Sequence, residues 1–330
     1  MDNKENAIKL SIAIPIFNEE LLIPELINRV TRSVETLYLD NFEIVITDNN
    51  STDKTLDILK DIAKEKKCRI KIIKHARNYG YQTSLQTCLQ HASGDYVAVM
   101  DGDLQDPPEL IPIMLEILTK EKKNIIYGVR RSRRGNFLKN GLYKFFYKLW
   151  QKVADIEIQL DSGEFAVYDR YSVNQILKFR EKNRFQRGIR AYLGLKQMEY
   201  AYDRDLRYKG KSKFNFNQQL RLGLDGIYSF SFAPIRIIMV IGIYVFIFSL
   251  TLATVSTTLR IINVFDPGFS VGQMGRGLVQ IFFIFTTLFG IIIIMLGIIG
   301  EYLSRIYDEI RDRPIIVEEV VNSWDFENEQ

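Results

Sequence analysis

Two stretches without a single formal charge set the strongest limit on what this chain can become. From Ile237 to Leu259 there are 23 such residues, and from Gly277 to Gly300 there are 24. As a helix each is long enough to cross a hydrocarbon core of about 30 Å. Two membrane spans are therefore expected near the C-terminal end. Basic residues gather ahead of the first run, at Arg204, Arg207, Lys209, Lys211, Lys213, Arg221 and Arg236, and follow the second at Arg305, Arg311 and Arg313. The segment between the runs has only Arg260 and Arg276, both at its margins. By the positive-inside rule both termini then lie in the cytoplasm, the 261–275 loop lies outside, and the protein is a multi-pass protein of the inner membrane. The net charge of +4 is modest, so its placement before the first run matters more than its size. Residues Met1 to Lys9 are polar and carry two acids, so no secretory signal is expected.

Ahead of the spans, the first 130 residues alternate strand-like and helix-like patterns at the spacing of a parallel sheet with crossover helices. Strands are expected at Leu10 to Ile14, Phe42 to Thr47, Ile70 to Lys74, Tyr96 to Met100 and Ile125 to Val129. Helices are expected at Glu19 to Leu37, about Asp53 to Lys66, and Tyr81 to His91. The sheet lacks Gly-x-Gly-x-x-Gly after its first strand and lacks Gly-x-x-x-x-Gly-Lys-Ser/Thr anywhere, which argues against a dinucleotide oxidoreductase and a P-loop enzyme. Residues 1–213 are assigned to a cytoplasmic α/β domain and 214–234 to an amphipathic helix along the membrane. Residues 235–330 are assigned to the two-helix transmembrane region with its cytoplasmic tail. A second surface helix is expected at Gly141 to Val153, where Leu142, Phe145, Phe146, Leu149, Trp150 and Val153 oppose Lys144, Lys148 and Lys152.

The chemistry lies in the loops after the strands, where open α/β sheets place their ligands. Asp101 and Asp103 follow the strand ending at Met100, one residue apart, ahead of Pro107-Pro108. Oxygen ligands in that arrangement suit Mg²⁺ or Mn²⁺, which keep several waters and complete their shell with substrate phosphates. A diphosphate is the implied partner, and nothing points to nucleic acid. Pro15-Ile16-Phe17-Asn18-Glu19 and Asp48-Asn49-Asn50-Ser51-Thr52-Asp53 would converge on the same crevice. Their polar groups either meet a nucleoside there or cap the following helices, Asn18 the first and Ser51 or Asp53 the second. Arg130, Arg131, Arg133 and Arg134 form a basic turn suited to phosphate. Cys68 and Cys88 make no metal-type pair and read as ordinary reduced thiols. His75 and His91 have no evident partners.

Taken together, these loops resemble family 2 glycosyltransferases. The supporting stretches are Pro15 to Glu19, the Asp48 loop, His75-Ala76-Arg77-Asn78-Tyr79-Gly80, Ser93-Gly94-Asp95 and Met100 to Pro108. Asp161-Ser162-Gly163-Glu164-Phe165, Arg184-Phe185-Gln186-Arg187-Gly188, Arg207 to Phe214 and the closing spans narrow the likeness to the polyprenol-phosphate branch, which includes dolichol-phosphate mannose synthases. The resemblance implies the GT-A fold, a Rossmann-like, mixed but mostly parallel sheet with flanking helices. It implies that Pro15, Phe17, Glu19, Asp48 and Asp101 hold the nucleotide and that Asp101, Asp103 and Gln105 hold the metal. Arg130, Arg207, Ser212 and Lys213 would serve the phosphates, with Arg133 beside them. Asp103 and Asp161 are the expected catalytic residues, Asp161 orienting the sugar or the acceptor. Two departures stand out: Asn49 occupies the place of a second acid after Asp48, and Ala166 that of an arginine after Phe165.

The implied reaction is inverting transfer of a hexose, with UDP-glucose the expected donor, to undecaprenyl or another polyprenyl phosphate, for glycosylation of the cell envelope. A homo-oligomer is expected, with its size left open and a tetramer among the candidates; Gly290, Gly297 and Gly300 on the second span would let another helix approach closely. Two alternatives stay open, a processive polysaccharide synthase and a non-catalytic membrane sensor of nucleotide sugars. Against the first, Phe185-Gln186-Arg187-Gly188 does not fit the Gln-x-x-Arg-Trp of such synthases.

Overall fold

The computed structural model describes residues 9–37, 41–65, 68–131, 162–182, 184–205, 237–248, 251, 254–255, 258 and 274–325. They divide into a sheet unit and a helical unit. In the sheet unit eight strands lie in the order β7-β5-β6-β4-β1-β2-β3-β8. The strands are β1 (Leu10–Ile16), β2 (Phe42–Asp48), β3 (Arg69–His75), β4 (Tyr96–Val99), β5 (Ile125–Arg130), β6 (Ser162–Asp169), β7 (Gln197–Tyr202) and β8 (Val317–Asn322). Six of them run the same way; β6 and β8 are reversed. The sheet is therefore mixed and mostly parallel, as expected.

β1 is buried along its whole length because helices cover both faces of a central parallel strand, which is why it reads as a continuous apolar run. On its flanks lie α1 (Ile23–Glu35), α2 (Thr55–Lys64), α3 (Tyr81–His91), α4 (Leu110–Lys120), α5 (Arg170–Ile176) and α6 (Gln186–Tyr192). α1 turns Ile23, Leu26, Ile27, Val30 and Val34 inward at helical spacing, with a proline in its first turn. The α3 bounds match the sequence expectation. α1 is shorter than expected at both ends, because residues 17–22 fold into the loop that meets β2.

One strand order differs from a simple run of crossovers. β6 is inserted between β4 and β5, antiparallel to both. Because it runs backwards, its first residues, Ser162 to Glu164, emerge at the edge where β1, β2, β4, β5 and β7 end. β8 closes the far side against β3 and is fastened by Lys60–Glu319 at 2.7 Å and Lys74–Glu318 at 2.9 Å.

The helical unit contains α7 (Ile237–Phe248) and α8 (Met274–Arg311). Two spans were expected. Among the described residues one helical stretch, Thr287–Arg311, is long and apolar enough to cross a membrane. The first apolar run is helical over Ile237–Phe248, which is too short alone, and most of 249–259 lies outside the described residues. On α8 the partly covered residues are Leu288, Ile291, Met295, Ile298, Tyr302 and Arg305, alternating three and four apart. That is the seam of a helix pair, and Gly242 on α7 faces Met295 across it. Gly290, Gly297 and Gly300 have no atom within 4 Å of where a Cβ would stand.

His75, at the end of β3, is fully buried, with its ring nitrogens 3.0 Å from Thr87 Oγ1 and 3.4 Å from Asn49 Oδ1. Burial, aided by the nearby His91, lowers its pKa to about 4. The unfolded chain holds this proton from about pH 6.5 downward and the folded one does not, so stability falls as pH drops through that window. From pH 7 to pH 5 this group alone should remove about 2 kcal/mol. Denaturation of His75→Gln at the two pH values should show an acid loss smaller by that amount; an undiminished loss would assign the effect elsewhere. Cys68 and Cys88 are free thiols, and burial pushes Cys88 up to about 12.

Candidate active site

At the carboxyl edge of the sheet the loops after β1 and β2 lock into each other. Asn18, with φ 52, donates its backbone N–H to Ser51 Oγ at 2.8 Å and accepts from Thr52 N–H at 2.7 Å. Glu19 N–H donates to Thr55 Oγ1 at 2.8 Å, and Asp53 accepts from the N–H groups of Thr55 and Glu20. The polar residues read as either caps or ligand groups therefore cap each other's loops. Asp48 is fully buried and accepts from the Ser51 N–H and hydroxyl. Burial raises its pKa, partly offset by the Ser51 bonds. Asn49 braces the next loop, accepting from Tyr79 N–H at 2.9 Å and donating to Asn78 at 2.8 Å. His75 to Gly80, quoted above for the resemblance, thus support the Asp48 loop. Pro15 is buried in β1, and Phe17 and Glu19 are partly covered at its end.

The loop after β4 carries Asp101, Asp103 and Asp106. Gly102 lies against Ile16, whose methyl would be 2.9 Å from an added Cβ. Leu104 takes φ 56, a backbone shape that leucine disfavours, while its side chain is 1% exposed in the core. Burying a leucine is worth about 1.5–3 kcal/mol. The left-handed backbone costs about 1–2 kcal/mol, so insertion wins and the loop is held in its turned shape. Gln105 N–H donates to Asp103 Oδ1 at 3.1 Å, closing the turn.

Around these carboxylates the strand ends supply partners. Tyr81, from the start of α3, donates its hydroxyl to Asp101 at 2.5 Å. Tyr202, the last residue of β7, donates to Asp106 at 2.5 Å. Arg204 Nε lies 3.2 Å from Asp106, and its terminal nitrogen lies 3.8 Å from Asp103 and 3.9 Å from Asp101. Arg130 Nη2, at the end of β5, is 4.0 Å from Asp106. Burial, then the charges of Asp106 and Asp103, push Asp101 up to about 7. The edge is therefore overloaded with negative charge. Asp106 Oδ2 is buried with no hydrogen-bond partner.

Among the described residues no group of three or more His, Cys, Asp or Glu side chains is placed to hold a metal ion. The chain offers a pair, Asp101 and Asp103, both within 4.0 Å of one Arg204 nitrogen. A pair suits a cation that takes its other ligands from water and a diphosphate. The Gln105 amide instead reaches the Asp205 carbonyl, 3.5 Å away, while Asp205 N–H donates to the Gln105 carbonyl at 3.0 Å.

Four residues at this edge were not singled out from sequence as site residues: Tyr81, Asp106, Glu164 and Arg204. Glu164 is 4% exposed and accepts from Arg187 at 3.1 Å and Gln82 at 3.3 Å. Only the strand-end position of Arg204, just beyond the alternating residues of β7, could have marked it. Asp161, Arg133, Arg207, Ser212, Lys213 and both expected surface helices, 141–153 and 214–234, lie outside the described residues.

Comparison with known proteins places the chain in a family. The family model described as "Glycosyl transferase family 2" matches residues 11–177. The chain is similar to the uncharacterized glycosyltransferase YkcC of Bacillus subtilis (strain 168), at 35% identity across 98% of this chain and 96% of that protein. It is also similar to the undecaprenyl-phosphate 4-deoxy-4-formamido-L-arabinose transferase of Enterobacter sp. (strain 638), at 28% identity across 95% and 94%. Among solved structures, glucosyl-3-phosphoglycerate synthase from Mycobacterium tuberculosis in complex with phosphoglyceric acid aligns with TM-score 0.46 and 18% identity, covering 67% of this chain and 78% of that one.

Proposed function

This chain belongs to glycosyl transferase family 2, and from that membership we propose that it moves a hexose from a nucleotide diphosphate donor to polyprenyl phosphate at the cytoplasmic face of a membrane. The observation that carries the reading is the pairing of Asp101 and Asp103 around a single position of positive charge at the strand-end edge. UDP-glucose is the proposed donor. The acceptor follows from likeness across nearly the whole chain to a transferase named for undecaprenyl phosphate, together with the apolar stretch Thr287–Arg311. In this reading the two apolar runs both span the bilayer, with both chain termini in the cytoplasm.

Asp101 and Asp103 would hold Mg²⁺ or Mn²⁺, which when bound supplies Lewis-acid neutralisation of the departing nucleotide diphosphate. Tyr81 orients Asp101 by its hydrogen bond, and the Leu104 turn fixes the spacing of the two carboxylates. Arg130 adds positive charge at the same edge, with Arg133, Arg207, Ser212 and Lys213 assigned to phosphate as the resemblance implies. Pro15, Phe17, Glu19 and Asp48 are assigned to the nucleoside and Gln105 to the metal on the same ground. The acceptor is itself an anion: with a second pKa of about 6, a phosphate monoester is largely ionised at neutral pH. It therefore needs little help from a base, and Asp161 is assigned to orienting the sugar. Attack opposite the leaving group inverts the anomeric centre.

Full-length protein in detergent, incubated with radiolabelled UDP-glucose, Mn²⁺ and undecaprenyl phosphate, should yield one lipid-linked sugar per acceptor. A polymer would favour a processive synthase. No product with any nucleotide sugar in a panel would favour a binding protein.

A further inference from the structure

Among the described residues, Arg204 brings a positive charge to both of the paired carboxylates. Its segment, residues 203–205, follows β7 without regular structure and is clipped to the Asp101 loop by the two-way contact between Asp205 and Gln105. The guanidinium is held unevenly. Nε forms a hydrogen bond to Asp106 at 3.2 Å, whereas the terminal nitrogen lies 3.8 and 3.9 Å from Asp103 and Asp101, beyond hydrogen-bond length. Asp106 keeps Tyr202 and Arg130 whether or not Arg204 stays. The end that faces Asp101 and Asp103 is thus the loosely held end, and its anchor has other partners.

We propose that Arg204 is a tethered placeholder cation, neutralising Asp101 and Asp103 until a divalent ion displaces its guanidinium from between them. The proposal rests on the reading of those two aspartates as metal carboxylates. A divalent ion bonds carboxylate oxygens directly, at about 2.0–2.1 Å for Mg²⁺. A guanidinium beside the same oxygens would face it as a like charge, so the two compete for one position. The consequence is weak metal binding by the free protein, with the acidic edge kept neutralised meanwhile.

The test is Mn²⁺ binding by the full-length chain in detergent without nucleotide, read from the electron paramagnetic resonance signal of the free ion. Arg204→Gln should bind Mn²⁺ about tenfold more tightly than the unaltered protein, and millimolar guanidinium ion should reverse part of that gain. Metal-free Arg204→Gln should also melt at a lower temperature and recover more on adding Mn²⁺. Arg204→Lys, whose ammonium is shorter and cannot bond two ways, should tighten binding about threefold, and carries the test if the glutamine variant does not fold. Equal or weaker binding in both variants, with Asp103→Asn abolishing it, would overturn the placeholder role while leaving the metal pair standing. Absence of Mn²⁺ binding in every protein, with and without UDP, would overturn the metal reading and this proposal with it.

Discussion

Asp103→Asn should lower sugar transfer by roughly a thousandfold, about 4 kcal/mol of transition-state stabilisation, without unfolding the protein. Asparagine keeps an oxygen for the Gln105 N–H, which closes the turn at 3.1 Å in the unaltered chain, so the loop retains its shape. What it loses is a charge. Transfer measured with UDP-glucose and undecaprenyl phosphate, alongside a thermal melt, separates the two effects. Turnover within tenfold of the original would remove Asp103 from the chemistry.

The second large effect concerns stability at the opposite edge of the sheet. Glu43, on β2, is fully buried. It accepts from the Ser11 hydroxyl at 2.6 Å and from the Ser93 N–H and hydroxyl at 2.7 Å each, with Lys71 Nζ 3.7 Å away. Ser11 in turn accepts from Gly94 N–H at 2.8 Å, where a side chain would collide with the backbone of β1. Glu43→Ala removes the acceptor of the Ser11 and Ser93 donors and the carboxylate beside Lys71, which still donates to the His91 carbonyl at 3.0 Å, a loss of about 3–5 kcal/mol. A melting temperature lower by about 10 °C is expected, with the transfer rate per folded molecule unchanged. Glu43→Gln, which can still accept, should lose less than half as much. A melt unaltered in Glu43→Ala would mean that the network contributes nothing net.

The strands β1 to β5 and helix α3 were legible because each is written in a local pattern: a buried run, or apolar residues at helical spacing. The meeting of Asp101 with Asp103 followed from the strand-end rule alone. What local pattern does not carry is order across the sheet. β6 sits between β4 and β5 because of pairing made over long sequence distance, and its reversal is what brings Glu164 to the active edge. Arg204 looked like one of several basic residues before a membrane run, and only the position of β7 beside β5 gives it three aspartates. Leu104 was likewise opaque, since leucine gives no hint of a left-handed turn. β8 was hidden for another reason: Val317 to Asn322 read Val-Glu-Glu-Val-Val-Asn, which lacks the alternation of a half-buried strand. The second apolar run is helical as expected. For the first, spanning length is described only in part.

The position of β8 in the chain has a consequence for biosynthesis. β3 is made early, but the strand that covers its outer edge leaves the ribosome only after α7 and α8 have been synthesised. Throughout that interval β3 presents unpaired backbone groups, the kind of border along which nascent chains join one another. Completion of the sheet thus becomes the closing event of maturation, coupled to the handling of two apolar helices. A chain cut short after α8 would carry every residue of the acidic edge and still be prone to aggregate.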